Sequence, residues 1–239
     1  VIDLHCHLLP GIDDGARDLD EALALARVAV DAGIRHAVVT PHVHPGRYDN
    51  HRDGIARACE AFRQVLDIAG IPLRVSPGAE VRVSEQVLLQ ARQGVLPTIG
   101  EWEGRPVVLL EFPHGHIPPG SEKLTAFLLR QGYQPIIAHP ERNKDVIRRF
   151  EKIYPFVEQG CLLQVTAAAV VGGFGPQALE RAWQLLEKGW VTVLASDAHN
   201  LHARPPDMRP GFKAVRERLG ESAAWNLVRD NPARICGLA

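Results

Sequence analysis

Short apolar runs alternate with longer amphipathic stretches along most of the chain, and this alternation constrains its fold more than any other feature. Residues 1–5, 36–40, 73–80, 106–111, 134–139, 161–165 and 191–196 read as strands. Between them, residues 19–32, 51–69, 84–93, 122–131, 145–158 and 177–187 carry apolar side chains at three- and four-residue intervals, and most end near a glycine. Repeated strand–helix units imply a mainly parallel sheet covered by helices, and seven such units favour a closed β/α barrel over an open sheet. The 239 residues show no linker or repeat, so one domain, residues 1–239, is expected.

In such barrels the chemistry sits where strands end and the following loops begin. Those ends read His5-Cys6-His7, Thr40-Pro41-His42-Val43-His44, Gly78-Ala79-Glu80, Leu110-Glu111-Phe112, Ala138-His139-Pro140-Glu141-Arg142 and Ser196-Asp197-Ala198-His199. Alternate side chains of a strand face the same way, so His5 and His7 can share one ion, with Cys6 directed away. Asp197 and His199 repeat that spacing, and Glu80, Glu111 and His139 supply single ligands. Imidazoles and carboxylates without a thiolate cluster suit manganese, zinc or ferrous iron. With Asp14 and His42 the candidates are too many for one ion, so more than one metal is implied. Several divalent ions would make a positive pocket, which attracts a phosphate dianion.

The rest of the sequence narrows the choice. With 27 basic and 28 acidic residues the chain has no broad field for nucleic acid or an anionic membrane. Its apolar runs are far shorter than the roughly 20 residues that span a bilayer, so no membrane insertion is expected. The opening Val1-Ile2-Asp3-Leu4-His5 has no secretory character, and Cys6, Cys59, Cys161 and Cys236 lack paired spacing. A cytoplasmic protein with reduced thiols is therefore expected. No cysteine is followed six residues later by arginine, which argues against a thiolate phosphatase mechanism, and there is no Walker lysine loop or Gly-x-Ser-x-Gly elbow. Gly173-Phe174-Gly175-Pro176-Gln177-Ala178 fits a loose dinucleotide fingerprint, but a tight turn explains its glycines equally well. His36 and His51 read as structural or surface side chains, whereas His44, His114 and His116 fall on rim loops, where substrate contact and simple solvation both remain open.

Taken together, these residues resemble the polymerase and histidinol phosphatase (PHP) family of metal-dependent phosphoesterases. The stretch from Ile2 through His5-Cys6-His7 to Asp13-Asp14-Gly15-Ala16 is similar to the opening of the bacterial capsule and exopolysaccharide tyrosine phosphatases. Thr40-Pro41-His42, His139-Pro140-Glu141-Arg142, residues 172–175 and Ser196-Asp197-Ala198-His199 through Arg204-Pro205-Pro206 are similar to the same branch. The resemblance implies a distorted seven-stranded barrel with three divalent ions, manganese or else iron or zinc. One site would use His5, His7, Glu80 and Asp197, a second Glu80, Glu111 and His139, and a third Asp14, His42 and His199, with Glu80 bridging. Arg142 and Arg204 match positions that serve catalysis there. Val43 separates His42 from His44 where relatives often have adjacent histidines.

The implied reaction is hydrolysis of phosphotyrosine by a metal-bound hydroxide. The implied partner is a phosphotyrosyl protein, the tyrosine-rich tail of a membrane-associated autokinase controlling polysaccharide export. The alternatives are a small-molecule phosphatase, such as a histidinol-phosphate phosphatase, and a metal-bearing binding module without turnover.

Overall fold

The computed structural model describes residues 1–238. Its strands are β1 (Ile2–Cys6), β2 (His36–Val39), β3 (His42–His44), β4 (Tyr48–Asp49), β5 (Arg74–Pro77), β6 (Glu80–Arg82), β7 (Glu101–Trp102), β8 (Arg105–Glu111), β9 (Gln134–Ala138), β10 (Leu162–Thr166) and β11 (Val191–Ala195). One sheet runs β1-β2-β5; the other runs β11-β10-β9-β8-β6-β3-β4, with β7 on β8. The pairings of β4 with β3 and of β7 with β8 are antiparallel, and the others are parallel. The molecule is therefore a mixed α/β fold rich in parallel strands.

Each expected strand position carries a strand. The 36–40 strand ends at Val39, and beyond Pro41, which has no N–H to give to a ladder, a short strand that the apolar runs did not reveal begins at His42. The 73–80 strand breaks at Gly78-Ala79, where a side chain on Gly78 would meet Val38 Cγ1 at 2.7 Å. The first and last strands are linked by backbone bonds: Asp197 N–H donates to His5 O and His7 N–H to Ala198 O, both at 2.8 Å.

The helices include α1 (Leu19–Asp31), α2 (Arg52–Ile68), α3 (Glu85–Gln93) and α4 (Ser121–Arg130). The helix expected over 145–158 is instead α5 (Lys144–Arg148), a 3₁₀ turn and α6 (Tyr154–Glu158). Arg149 is extended at φ −143° and Pro155 cannot donate within a helix, so the apolar period continues although the helix does not. After α7 (Pro176–Glu187), three helices that the periodicity did not reveal complete the chain: α8 (Arg209–Leu219), α9 (Glu221–Trp225) and α10 (Asn231–Ile235). Among the described residues no helix is long and apolar enough to cross a membrane.

Two apolar clusters explain how the ligands are raised to one end. The larger joins the strands to the surrounding helices. The smaller is made mostly of strand side chains, including Leu4, Val107, Leu109, Ile136, Val193 and Ala195, together with Ile99 and Ile235. On β8, Val107 and Leu109 point into this floor and Glu111 is the next residue on that face; Asp197 follows Val193 and Ala195 in the same way. On β1 the register shifts between Asp3 and Cys6, which places Leu4 in the inner cluster and Cys6 in the outer. Such an irregularity re-aims the side chains beyond it.

Candidate metal centre

All the expected ligands except His139 fall into three overlapping groups whose donor atoms lie within 4.8 Å of one another. The groups are His5, His7, Glu80 and Asp197; His7, Asp14, His42 and His199; and His42, Glu80 and Glu111. The first is the expected set. The other two differ from expectation: His7 joins Asp14, His42 and His199, and His42 stands with Glu80 and Glu111 where His139 was expected. Strand register supplies the reason, since His42 and Glu80 are direct partners on β3 and β6. His139 instead places Nε2 2.7 Å from Glu80 Oε1, on the carboxylate's other oxygen. Glu80 thus lies at the junction of the cluster.

Three imidazoles are oriented by acceptors on their Nδ1 side. His5 Nδ1 donates to Gln164 Oε1 at 2.9 Å, His7 Nδ1 to Asp13 Oδ2 at 2.7 Å and His199 Nδ1 to the Asp197 carbonyl at 2.9 Å. This leaves each Nε2 lone pair for the cluster, the arrangement in which a second partner fixes a ligand's tautomer. Sequence reasoning missed Asp13 and Gln164. Gln164 sits inside an apolar strand, a visible anomaly, whereas nothing in the Asp13-Asp14 pair says which carboxylate faces which way. Asp3 was also missed; it accepts from Ser196 N–H at 3.0 Å and ties β1 to β11 beneath the ligands.

The backbone is left-handed at His139 (φ 32°) and Asp197 (φ 51°). Residues other than glycine rarely adopt this conformation, and it concentrates at functional sites. Here it lets both side chains turn into the cluster directly after their strands.

The centre opens into a cavity of about 370 Å³ whose lining includes Arg47, Arg82, Arg142 and Arg204. Arg142 lies on the 3₁₀ turn Pro140–Arg142, with Nη1 2.7 Å from Asp197 Oδ2 and its guanidinium 4.5 Å from the centre of the Phe174 ring. Its partner is therefore a candidate ligand, not the neighbouring Glu141, whose Oε1 accepts from Thr166 N–H. Arg204 Nη1 is 3.6 Å from the same Asp197 oxygen. Arg82 was not foreseen; it pairs with Glu111 at 3.0 Å, and because it alternates with Glu80 on β6, strand periodicity could have revealed it. Of the undecided histidines, His114 lines the cavity, whereas His44 and His116 do not.

The electrostatics suit bound cations. Burial pushes Glu111 up to about 8, with repulsion from Glu80 adding to it and Arg82 opposing. Burial also opposes ionisation of Glu80 and Asp197, yet the imidazoles around Glu80 and the Arg142 guanidinium beside Asp197 hold both well below the usual range. His42, despite burial, is raised to about 10 by Glu80 and Asp14. Oxygens of Glu80, Glu111 and Asp197, with His42 Nδ1 and His199 Nε2, are buried without a hydrogen-bond partner. Buried polar atoms are normally partnered, and a borderline divalent ion is a partner for carboxylate and imidazole together. By contrast, burial pushes Cys59 and Cys236 up to about 11, Cys161 to about 12 and Cys6 well above the usual thiol range, which leaves all four protonated near neutrality.

Comparison with known proteins places these observations in context. The sequence profile of the family described as capsular polysaccharide synthesis, CpsB/CapC, matches residues 1–237. The tyrosine-protein phosphatase YwqE of Bacillus subtilis is 34% identical over 230 residues, covering 96% of this chain and 89% of its own. The tyrosine-protein phosphatase CpsB of Streptococcus pneumoniae is 30% identical, covering 98% of each chain. A crystal structure from work on YwqE and CpsB, described as unique metal-dependent tyrosine phosphatases, superposes with a TM-score of 0.92 at 32% identity, covering 100% of this chain and 95% of that one. At 13% identity, a β-aspartyl dipeptidase from Fervidobacterium islandicum shares the fold alone, with a TM-score of 0.54 over 98% of this chain and 74% of its own.

Proposed function

The chain belongs to the CpsB/CapC family of capsular polysaccharide synthesis proteins, and from that membership and its centre we propose a metal-dependent protein-tyrosine phosphatase. The observation that carries the proposal is the convergence of three overlapping donor groups on the floor of an arginine-lined cavity. In this reading the strands form a distorted seven-stranded barrel and the chain is one domain. Three divalent ions, manganese or else iron or zinc, are held by His5, His7, Asp14, His42, Glu80, Glu111, His139, Asp197 and His199. When bound, such ions supply Lewis-acid chemistry, polarising the phosphoryl group and lowering the pKa of the attacking water.

The chain's own residues do the rest. Arg142 and Arg204 converge on Asp197 at the cavity wall, where planar guanidinium groups can hold phosphate oxygens and spread charge in the transition state. A tyrosine phenolate, the conjugate base of a group with pKa about 10, departs without a strong general acid. Phosphotyrosine should therefore turn over faster than phosphoserine. The substrate is a phosphotyrosyl protein, and the fitting partner is the tyrosine-rich tail of a membrane-associated autokinase, met in the cytoplasm.

The test measures phosphate release by metal-reconstituted protein from a phosphotyrosyl peptide, a phosphoseryl peptide and histidinol phosphate. Fastest turnover of the phosphotyrosyl peptide, abolished by chelation, is the expected result. Preference for histidinol phosphate would make the protein a small-molecule phosphatase; no metal-dependent release above the chelated control would make it a binding module.

A further inference from the structure

A second concavity is lined by residues one to four positions along the chain from those of the arginine-lined cavity, and its chemistry is of the opposite kind. This groove, of about 260 Å³, is lined chiefly by Val83, Leu88, Pro118, Pro119 and Leu124, with Glu85 the one charged residue in its wall. Both walls continue elements that carry the centre. Val83 directly follows Arg82, and its N–H donates to the Glu111 carbonyl at 3.0 Å. The other wall is the loop leaving β8, which passes His114 in the cavity lining before reaching Pro118 and Pro119.

The groove is also built to keep its shape. Asn143, next to Arg142, donates through Nδ2 to the carbonyls of Pro113 at 2.9 Å and His116 at 3.1 Å. Asp145 accepts from Ile117 N–H at 3.0 Å, and Ser121 Oγ donates to the Pro118 carbonyl at 2.7 Å. Two consecutive prolines stiffen the wall further. A pre-formed apolar groove binds without the cost of ordering it.

Given the phosphatase activity proposed above, we propose that this groove is a peptide subsite that receives an apolar side chain flanking the phosphotyrosine. One wall begins a single residue from the cavity lining and the other is four residues on from His114, so the backbones of the two linings lie within roughly 4–15 Å of each other at 3.8 Å per residue. An extended peptide rises about 3.3 Å per residue, which puts the occupant within about four positions of the phosphotyrosine. A free phosphomonoester of metabolite size would fill the polar cavity and leave the groove in water.

The experiment uses the metal-loaded full chain and a phosphotyrosyl peptide series with a single leucine moved from one to four residues on either side, against an all-alanine parent. Leucine at one of these positions is expected to raise kcat/KM about tenfold, mainly through KM. Leu88→Gln should abolish that gain while leaving p-nitrophenyl phosphate turnover unchanged. Binding of the same peptides bearing a non-hydrolysable phosphonate in place of phosphotyrosine, followed by fluorescence anisotropy, should show the same preference. Equal kcat/KM and equal affinity at every leucine position would overturn the subsite, as would a leucine gain that survives both Leu88→Gln and Val83→Asp. Failure of the underlying phosphatase assignment looks different: p-nitrophenyl phosphate and every peptide would go unhydrolysed by the metal-loaded protein.

Discussion

Asp13 and Asp14 are adjacent in the chain but hold different positions in the centre. Asp14 stands among candidate ligands, whereas Asp13 accepts from His7 Nδ1 and from the backbone N–H groups of Gly15 and His42. Asp13→Asn is expected to weaken metal affinity by about 10–100-fold without unfolding the chain. Chelator competition alongside circular dichroism tests this, and unchanged affinity would leave Asp13 a loop-forming residue only. Arg142→Ala should lower phosphotyrosyl turnover by roughly 10²–10³-fold, with Arg142→Lys recovering part of the loss because an ammonium lacks the planar fork. Full activity in Arg142→Ala would reduce the Asp197 contact to a structural ion pair. Ligand-type residues at strand ends were legible because two-residue spacing places His5 and His7, or Asp197 and His199, on one side. Their division into groups was not, since it depends on which strand lies beside which.

The loop from β1 into α1 shows how little freedom the elements leave around these residues. A side chain added at Gly15 would put Cβ 2.2 Å from His7 O and 2.5 Å from His7 Cβ. Neither contact is the end of a flexible side chain, so the loop carrying Asp13 and Asp14 would have to move. Gly15→Ala should therefore cost about 1–3 kcal/mol of stability and weaken metal retention together. Denaturant melts and elemental analysis report the two effects, and a wild-type value for either would show that the loop adapts. At this scale strand positions were readable from apolar runs, as was the stop before Pro41, but the short β3 beyond it and the break at Gly78-Ala79 were not, because three-residue strands are too short to show alternation. The apolar period likewise carried one expected helix across Arg149, where the backbone is extended.

Stability of the whole molecule has a pH dependence set partly far from the chemistry. His36, on β2, is buried, and burial with the nearby Arg74 charge lowers it to about 4; its Nε2 pairs with Ser76 Oγ at 2.8 Å. The folded protein therefore takes up this proton less readily than the unfolded chain, whose histidine titrates near 6.5. The contribution is fully present above about pH 6.5 and is lost as pH falls towards 4, by about 3 kcal/mol at most. His36→Gln removes the titration, so the wild type should lose more melting temperature than the variant between pH 7 and 4.5; parallel curves would assign the acid sensitivity elsewhere. The strand–helix order of the molecule was legible along the chain, whereas the last three helices were not: α9 and α10 have five residues each, too few to show a period, and Pro210-Gly211 in the first turn of α8 reads as a turn. The bonds from Asp197 to His5 and from His7 to Ala198 also fix an order of events during synthesis. In synthesis the first histidines are added about 190 residues before the aspartate that completes their donor set. Polypeptides that terminate before Asp197 are therefore born without that donor set.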